Sequence, residues 1–217
     1  PRPPGRLPAV FALGQLDPMP LEIVEAQGGQ PLYPQRWTDW AAVTISYGHG
    51  LSTSPLHLAA GYAAIANGGF AVRPTLLKQT FPQTGDRVMS AQSAKAARSM
   101  LRKVVTDGTA SFGEVPGYHV GGKTGTADKP RERGGGYYED KVIATFASIF
   151  PAHDPRYVLV VTLDEPVETS GKEPRRTAGW TAVPVAAEMI GRIAPLLGLR
   201  PDHGPLQINR VMHTASQ

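Results

Sequence analysis

The chain has 217 residues, of which 41% are hydrophobic, enough for a real core in one domain or part of one. Its net charge of +4 is a weak bias toward anionic surfaces, and the absence of cysteine excludes thiol catalysis, disulfides and thiolate metal sites. No apolar run approaches the roughly 18 residues of a membrane span. The start, Pro1-Arg2-Pro3-Pro4, carries no charged and apolar leader and reads as a cut, with targeting information absent or removed. Three basic clusters, 98–103, 129–133 and 172–176, lack interleaved aromatics, so they read as solvated faces and loops rather than nucleic-acid contacts.

In chain order, residues 1–40 hold eight of the 21 prolines and little periodicity, which predicts an extended, irregular segment with one short helix at most. Tyr47-Gly48-His49-Gly50 is a glycine-flanked turn. His49 has no nearby carboxylate to form a relay, so a structural or solvent-facing role is expected of it. Ser54 as N-cap, Pro55 at the first helical position and the stop Asn67-Gly68-Gly69 predict a helix over 55–66. It is apolar nearly all round, and should be buried on more than one side. Phe70–Lys78 reads as strand-like. Ser90 then caps a second helix that closes near Gly108, amphipathic, with its arginines and lysines outward. Three strands follow, Tyr118–Ala127, Lys141–Phe150 and Arg156–Leu163, the last two joined by the short turn 151–155 as an antiparallel hairpin. The apolar spacing of Ala182–Leu197 predicts a helix packed on that sheet, and residues after Gly198 read as a loose tail.

The first strand carries Gly122-Lys123-Thr124-Gly125-Thr126-Ala127. A cation, two hydroxyls and a closely approachable backbone can hold a carboxylate and stabilise an oxyanion. Gly117 to Thr124 also fits the P-loop pattern G-x-x-x-x-G-K-[ST]. That loop needs a buried strand before it and a helix after it, whereas a turn-rich run precedes Gly117, and Gly125, Pro130 and Gly134-Gly135-Gly136 follow Thr124. An isolated Lys-Thr-Gly would otherwise be a surface turn with a solvated lysine.

Lys-Thr-Gly is also one of three signatures of serine acyltransferases of the penicillin-binding and β-lactamase type, and neither Ser-x-x-Lys nor Ser-x-Asn occurs in the chain. Four segments in order resemble the class B penicillin-binding proteins, specifically cell-division peptidoglycan D,D-transpeptidases of the FtsI type. They are Tyr47–Ala59 with Asn67-Gly68-Gly69, Thr106–Ala110 with Val115–Tyr118, Gly122–Ala127, and Phe150-Pro151-Ala152 through Asp164-Glu165-Pro166. The block after Tyr47 and the hairpin resemble the transpeptidases rather than class A β-lactamases.

The resemblance implies an α+β penicillin-binding fold: an antiparallel five-stranded sheet between helical layers, of which the present strands are the last three. It makes 41–198 the C-terminal part of a transpeptidase domain, 1–40 an irregular segment of the same domain, and 199–217 its tail. It implies septal cross-linking of peptidoglycan stem peptides, acylation by β-lactams, other cell-division and cell-wall proteins as partners, and a place on the periplasmic face of the inner membrane, held there through a segment upstream. By resemblance, Lys123 tunes the electrostatics around a serine absent from this chain. Thr124 and Thr126 bind the terminal carboxylate, the Thr126 N–H forms half of the oxyanion hole, and Gly125 keeps the strand edge clear for substrate. No metal or other cofactor is implied. A noncatalytic cell-wall-binding relative is the alternative.

Overall fold

In the computed structural model, which describes residues 21–23, 32, 34, 36, 38–46, 48–81 and 85–204, helices cover both faces of one antiparallel sheet. The expectation for residues 1–40 falls almost wholly outside these residues. A short helix, α1 (Asp39–Ser46), was not foreseen; Thr38 caps it by accepting from Ala41 N at 3.1 Å, and none of its residues is buried. The second, α2 (Pro55–Ala66), has the expected bounds, with the Ser54 hydroxyl accepting from His57 N and Asn67 closing the end. It buries His57, Ala60, Gly61, Ala64 and Ile65 along one face and Tyr62 beyond its margin, and Leu56, Leu58, Ala59, Ala63 and Ala66 are half-buried, so the helix is covered on more than one side, as its uniform apolarity implied. Burial pushes the Tyr62 phenol up to about 12.

Residues 70–78 are not a strand. Only Phe70 forms a bridge, to Arg87, and beyond it Leu76 and Leu77 are exposed while Glu22 accepts from Thr75 Oγ1 and Leu76 N. Backbone pairing with residues 85–88 ends at Ala71; past it the run has no partner strand to satisfy a ladder, and Pro74 removes a donor.

The third helix, α3 (Ala91–Asp107), is capped by Ser90 and ends at Gly108 as read. The expectation that all its basic side chains point outward is corrected: Lys95 and Lys103 are exposed, but Arg98 and Arg102 are half-buried. Arg98 donates to the carbonyls of Ile65 and Ala66 at the end of α2, and Arg102 forks onto Glu114 while also donating to Val120 O at 2.7 Å. A guanidinium at helix-end carbonyls satisfies acceptors that the helix itself leaves open.

The sheet runs β1 (Gly121–Pro130), β2 (Tyr137–Phe150) and β3 (Tyr157–Asp164), antiparallel in that order, so β1 and β3 are its edges. Each strand lies within a few residues of its expected span. The register pairs Lys123 with Ala147, Thr124 with Phe146, Gly125 with Thr145 and Thr126 with Ala144. On one face of β2, Ala144, Phe146 and Phe150 pack against Val183, Ala186, Ile190 and Ala194 of α4 (Ala182–Leu196), the expected covering helix. On the other, Ala147 and Ile149 pack with Tyr62 of α2, while Leu101 of α3 leans on the same cluster. The second half of β2 is thus buried on both sides, as its mostly apolar run from Ala144 to Phe150 suggests; the polar Ser148 within it is buried with its hydroxyl donating to Leu159 O at 3.0 Å.

A charge cluster ties the far ends of the strands. Lys129 Nζ lies 2.8 Å from both Asp164 Oδ2 and Glu165 Oε1, and Lys141 lies 3.1 Å from Glu165 Oε2. Hydrogen bonds from Lys129 and then Lys141 hold the Glu165 carboxyl below its usual range. Past α4, Leu199 packs on the core and Asp202 N donates to Gly117 O at 2.8 Å, so residues 199–204 are anchored rather than loose. The remainder of the expected tail lies outside the described residues.

Candidate active site

The paired glycines before Lys123 are a packing requirement. A Cβ on Gly121 would come within 3.1 Å of Arg102 N in α3 and of Ala152 Cβ, and one on Gly122 within 2.5 Å of the Phe146 ring. Helix backbone presses one face of the strand and an aromatic ring the other, so only glycine lets β1 lie between them. From Gly121 the backbone runs as strand to Pro130, with no helix opening at Lys123 or Thr124. The P-loop geometry, helix amides aimed at a phosphate, is therefore absent here.

Side chains of a strand alternate, and the register assigns each one a side. Thr124 and Thr126 share the face of Phe146 and Ala144, toward α4; Lys123 and Gly125 share the opposite face with Ala147 and Thr145. All four of Lys123–Thr126 lie on an edge strand, with β2 as its partner in the sheet. Lys123 is exposed, its ammonium folded onto the neighbouring residue, 2.8 Å from Thr124 O and 3.4 Å from Thr124 Oγ1.

The two hydroxyls are oriented from outside the strand. Thr124 Oγ1 lies 2.8 Å from Thr109 Oγ1, and Thr126 Oγ1 accepts from Ala178 N at 3.0 Å. A hydroxyl that accepts one hydrogen bond still has its own proton to give. Thr126 is thus left able to donate to an anion, as is Thr124 when Thr109 and Lys123 supply its accepted bonds. Gly125, by contrast, is open: a Cβ there would meet only Thr145 O, at 3.9 Å.

Both threonines line a cleft of about 420 Å³ that also takes in Thr109, Phe112, Thr177 and Trp180. Phe112 and Trp180 stack with ring centroids 5.0 Å apart, and the Arg175 guanidinium sits 3.7 Å from the Trp180 ring centroid. The loop of Trp180 meets that of Thr109 because Gly179 has no Cβ, which would otherwise come within 2.6 Å of Thr109 O. Of these wall residues Thr109 lies in a segment that carries the resemblance, whereas Phe112, Thr177 and Trp180 had no local signal in the sequence; they come from the turn after α3 and the loop after β3. His49 is exposed and tilted against Tyr137 at 6.2 Å between centroids.

A family described as "Penicillin binding protein transpeptidase domain" matches residues 10–188. Over 198 residues the chain is 35% identical to a probable peptidoglycan D,D-transpeptidase FtsI of Caulobacter vibrioides, covering 87% of this chain and 33% of that protein. It is 36% identical over 214 residues to penicillin-binding protein PbpB of Mycobacterium tuberculosis, covering 90% and 31%. The chain therefore spans about a third of the length of these curated relatives. Among solved structures, the transpeptidase domain of penicillin-binding protein 3 from Burkholderia pseudomallei superposes with a TM-score of 0.77 at 36% identity, over 91% of this chain and 58% of that one. Penicillin-binding protein 3 of Mycobacterium tuberculosis, complexed with ampicillin, superposes at 0.74 with 32% identity, over 91% and 47%.

Proposed function

The chain belongs to the penicillin-binding-protein transpeptidase family, and from that premise we propose that it is one wall of the acyl-transfer site of a peptidoglycan D,D-transpeptidase. The observation that carries the reading is the arrangement on β1: two hydroxyls on one face of an edge strand, a lysine rooted on the other face whose ammonium folds to within 3.4 Å of Thr124 Oγ1, and a glycine between the threonines with open space beside it. A stem peptide would lie along this edge as an added strand. Its terminal carboxylate would accept from Thr124 and Thr126. The N–H of Thr126 would supply half of the oxyanion hole for the penultimate D-Ala carbonyl, where the tetrahedral charge develops.

The nucleophilic serine comes from outside this chain. No serine here has a lysine three residues on. Ser99 has Arg102, but that guanidinium is forked onto Glu114 and offers only donors, so it cannot take a proton. Lys123 would then hold the electrostatics and hydrogen bonds around the incoming serine. Acyl transfer to that serine releases D-Ala, and an amine on a neighbouring strand takes the acyl group. Acylation of the same serine by β-lactams is supported by relatives whose structures are described as complexes with aztreonam and ampicillin. The FtsI name of one relative supports a role in cell division; on this proposal its partners would be other cell-wall synthesis proteins and its place the periplasmic face of the inner membrane. No described helix is long and apolar enough to cross a membrane, so such anchoring would come from outside the described residues. The family match from residue 10 supports placing 1–40 in the same domain as 41–198.

The test is acylation of the full-length product by a fluorescent penicillin. Thr124→Val with Thr126→Val should slow labelling by about tenfold or more, since each lost hydrogen bond to a charged group costs about 1.5–3 kcal/mol. Because Thr126 also holds Ala178 N, Thr126→Ser is the companion: it keeps the hydroxyl and should restore most of the rate. Labelling unchanged in the double valine variant would remove these residues from the site.

A further inference from the structure

A second cleft, of about 360 Å³, shares no lining residue with the first. Lys95, Arg98, Ser99 and Arg102 line it from α3, and His119 and His153 from the turns before β1 and after β2. The α3 residues are spaced i, i+3, i+4 and i+7, one face of the helix. The histidine rings meet edge to face at 5.4 Å between centroids. His119 is fixed on both sides: its carbonyl accepts from Ala152 N at 2.8 Å and its Nε2 lies 3.1 Å from Asp202 O. Five of the seven lining residues are cations or can become so, and no carboxylate lines the cleft.

We propose that this cleft binds a phosphate-bearing anion. The arginines are already held in place, Arg98 on the end of α2 and Arg102 on Glu114 and Val120 O. Each guanidinium carries five N–H donors, so these contacts leave donors free, and an ordered side chain loses little further freedom on binding. Two acids are close: Glu114, on Arg102, and Asp202, whose carboxylate lies 3.8 Å from His119. Against Lys95, Arg98 and Arg102 they leave a positive excess with neither histidine counted. A carboxylate would be satisfied by one arginine fork. Donors converging from a helix face, a serine hydroxyl and two imidazoles suit a tetrahedral group with three or four acceptor oxygens. The cleft has the volume of a small-molecule site rather than of a single ion.

Ligand-observed phosphorus NMR with the full-length product, titrating inorganic phosphate and pyrophosphate at constant ionic strength, tests this. Saturable broadening is expected, with pyrophosphate the tighter of the two. Lys95→Ala and His153→Ala should each weaken it by about fivefold, the upper end for a solvent-exposed charge contact. Ser99→Glu, on an exposed helix position, should abolish it, and Lys172→Ala should leave it unchanged. Co-sedimentation with phosphatidylglycerol vesicles, against phosphatidylcholine, distinguishes the source: binding weakened by the same variants assigns the phosphate to a lipid headgroup, and pyrophosphate binding without it assigns a soluble ligand. No saturable binding in either arm, equal binding by Ser99→Glu, or equal weakening by Lys172→Ala would overturn the proposal. No outcome depends on acylation chemistry.

Discussion

Two glycines three residues apart on β1 carry opposite burdens. Gly122 is closed in by Phe146, so Gly122→Ala must displace a buried ring and should destabilise the fold by about 1–3 kcal/mol, the usual range for overpacking. Gly125→Ala has room and should change stability by less than about 0.5 kcal/mol, as surface substitutions do, yet slow acylation of the intact enzyme by crowding the edge on which substrate would lie. Urea midpoints and penicillin labelling of the two variants check both halves; a Gly125→Ala enzyme acylated at the wild-type rate would show that the edge is not where substrate lies. The types and spacing of Lys123 to Thr126 were legible because strand alternation makes sidedness a matter of counting. Their hydrogen bonds to Thr109 and Ala178 were not, since both partners are far away in the chain.

Among the elements, the helices were readable where their signals are local. Ser54 with Pro55, Asn67, Ser90 and Gly108 fix α2 and α3 through capping chemistry confined to a few residues. Strandedness is a property of pairs, and Phe70–Lys78 fails as a strand for want of a partner. The inward turn of Arg98 and Arg102 was equally hidden, because the carbonyls they meet belong to other elements. Where strands do pair, their far ends are held by Lys129, Lys141, Asp164 and Glu165. Glu165 has its carboxyl depressed in the fold, so its contribution is present above the ordinary carboxylate value of about 4.3. It is lost as pH falls through the lower folded value. Urea midpoints measured from about pH 6 to pH 3 should therefore fall less steeply in Glu165→Gln than in the wild type. Parallel curves would mean that this cluster adds nothing to the acid limb. High salt should shrink the same difference, since the groups are solvent-facing.

Across the whole molecule, the described chain would supply one side of the proposed catalytic arrangement and no nucleophile. Residues 1–217 alone should therefore form no covalent adduct with penicillin. Intact-mass spectrometry should return the unmodified mass, and a stoichiometric adduct on any serine here would place the nucleophile within this chain. The sheet ends in two edges, and α1 buries none of its residues while leaving Trp40 and Val43 exposed. Unpaired strand backbone and exposed apolar side chains each favour association, so sedimentation should show a weight-average mass that rises with concentration. The edge position of β1 also bears on time rather than energy. Its backbone amides alternate between those tied to β2 and those facing away from the sheet. The outward set should exchange with deuterium quickly until something lies alongside, and then slow, while the inward set barely changes. Alternate-residue exchange along Lys123 to Ala127 would thus time the arrival and departure of a strand-like ligand, with no bond made or broken.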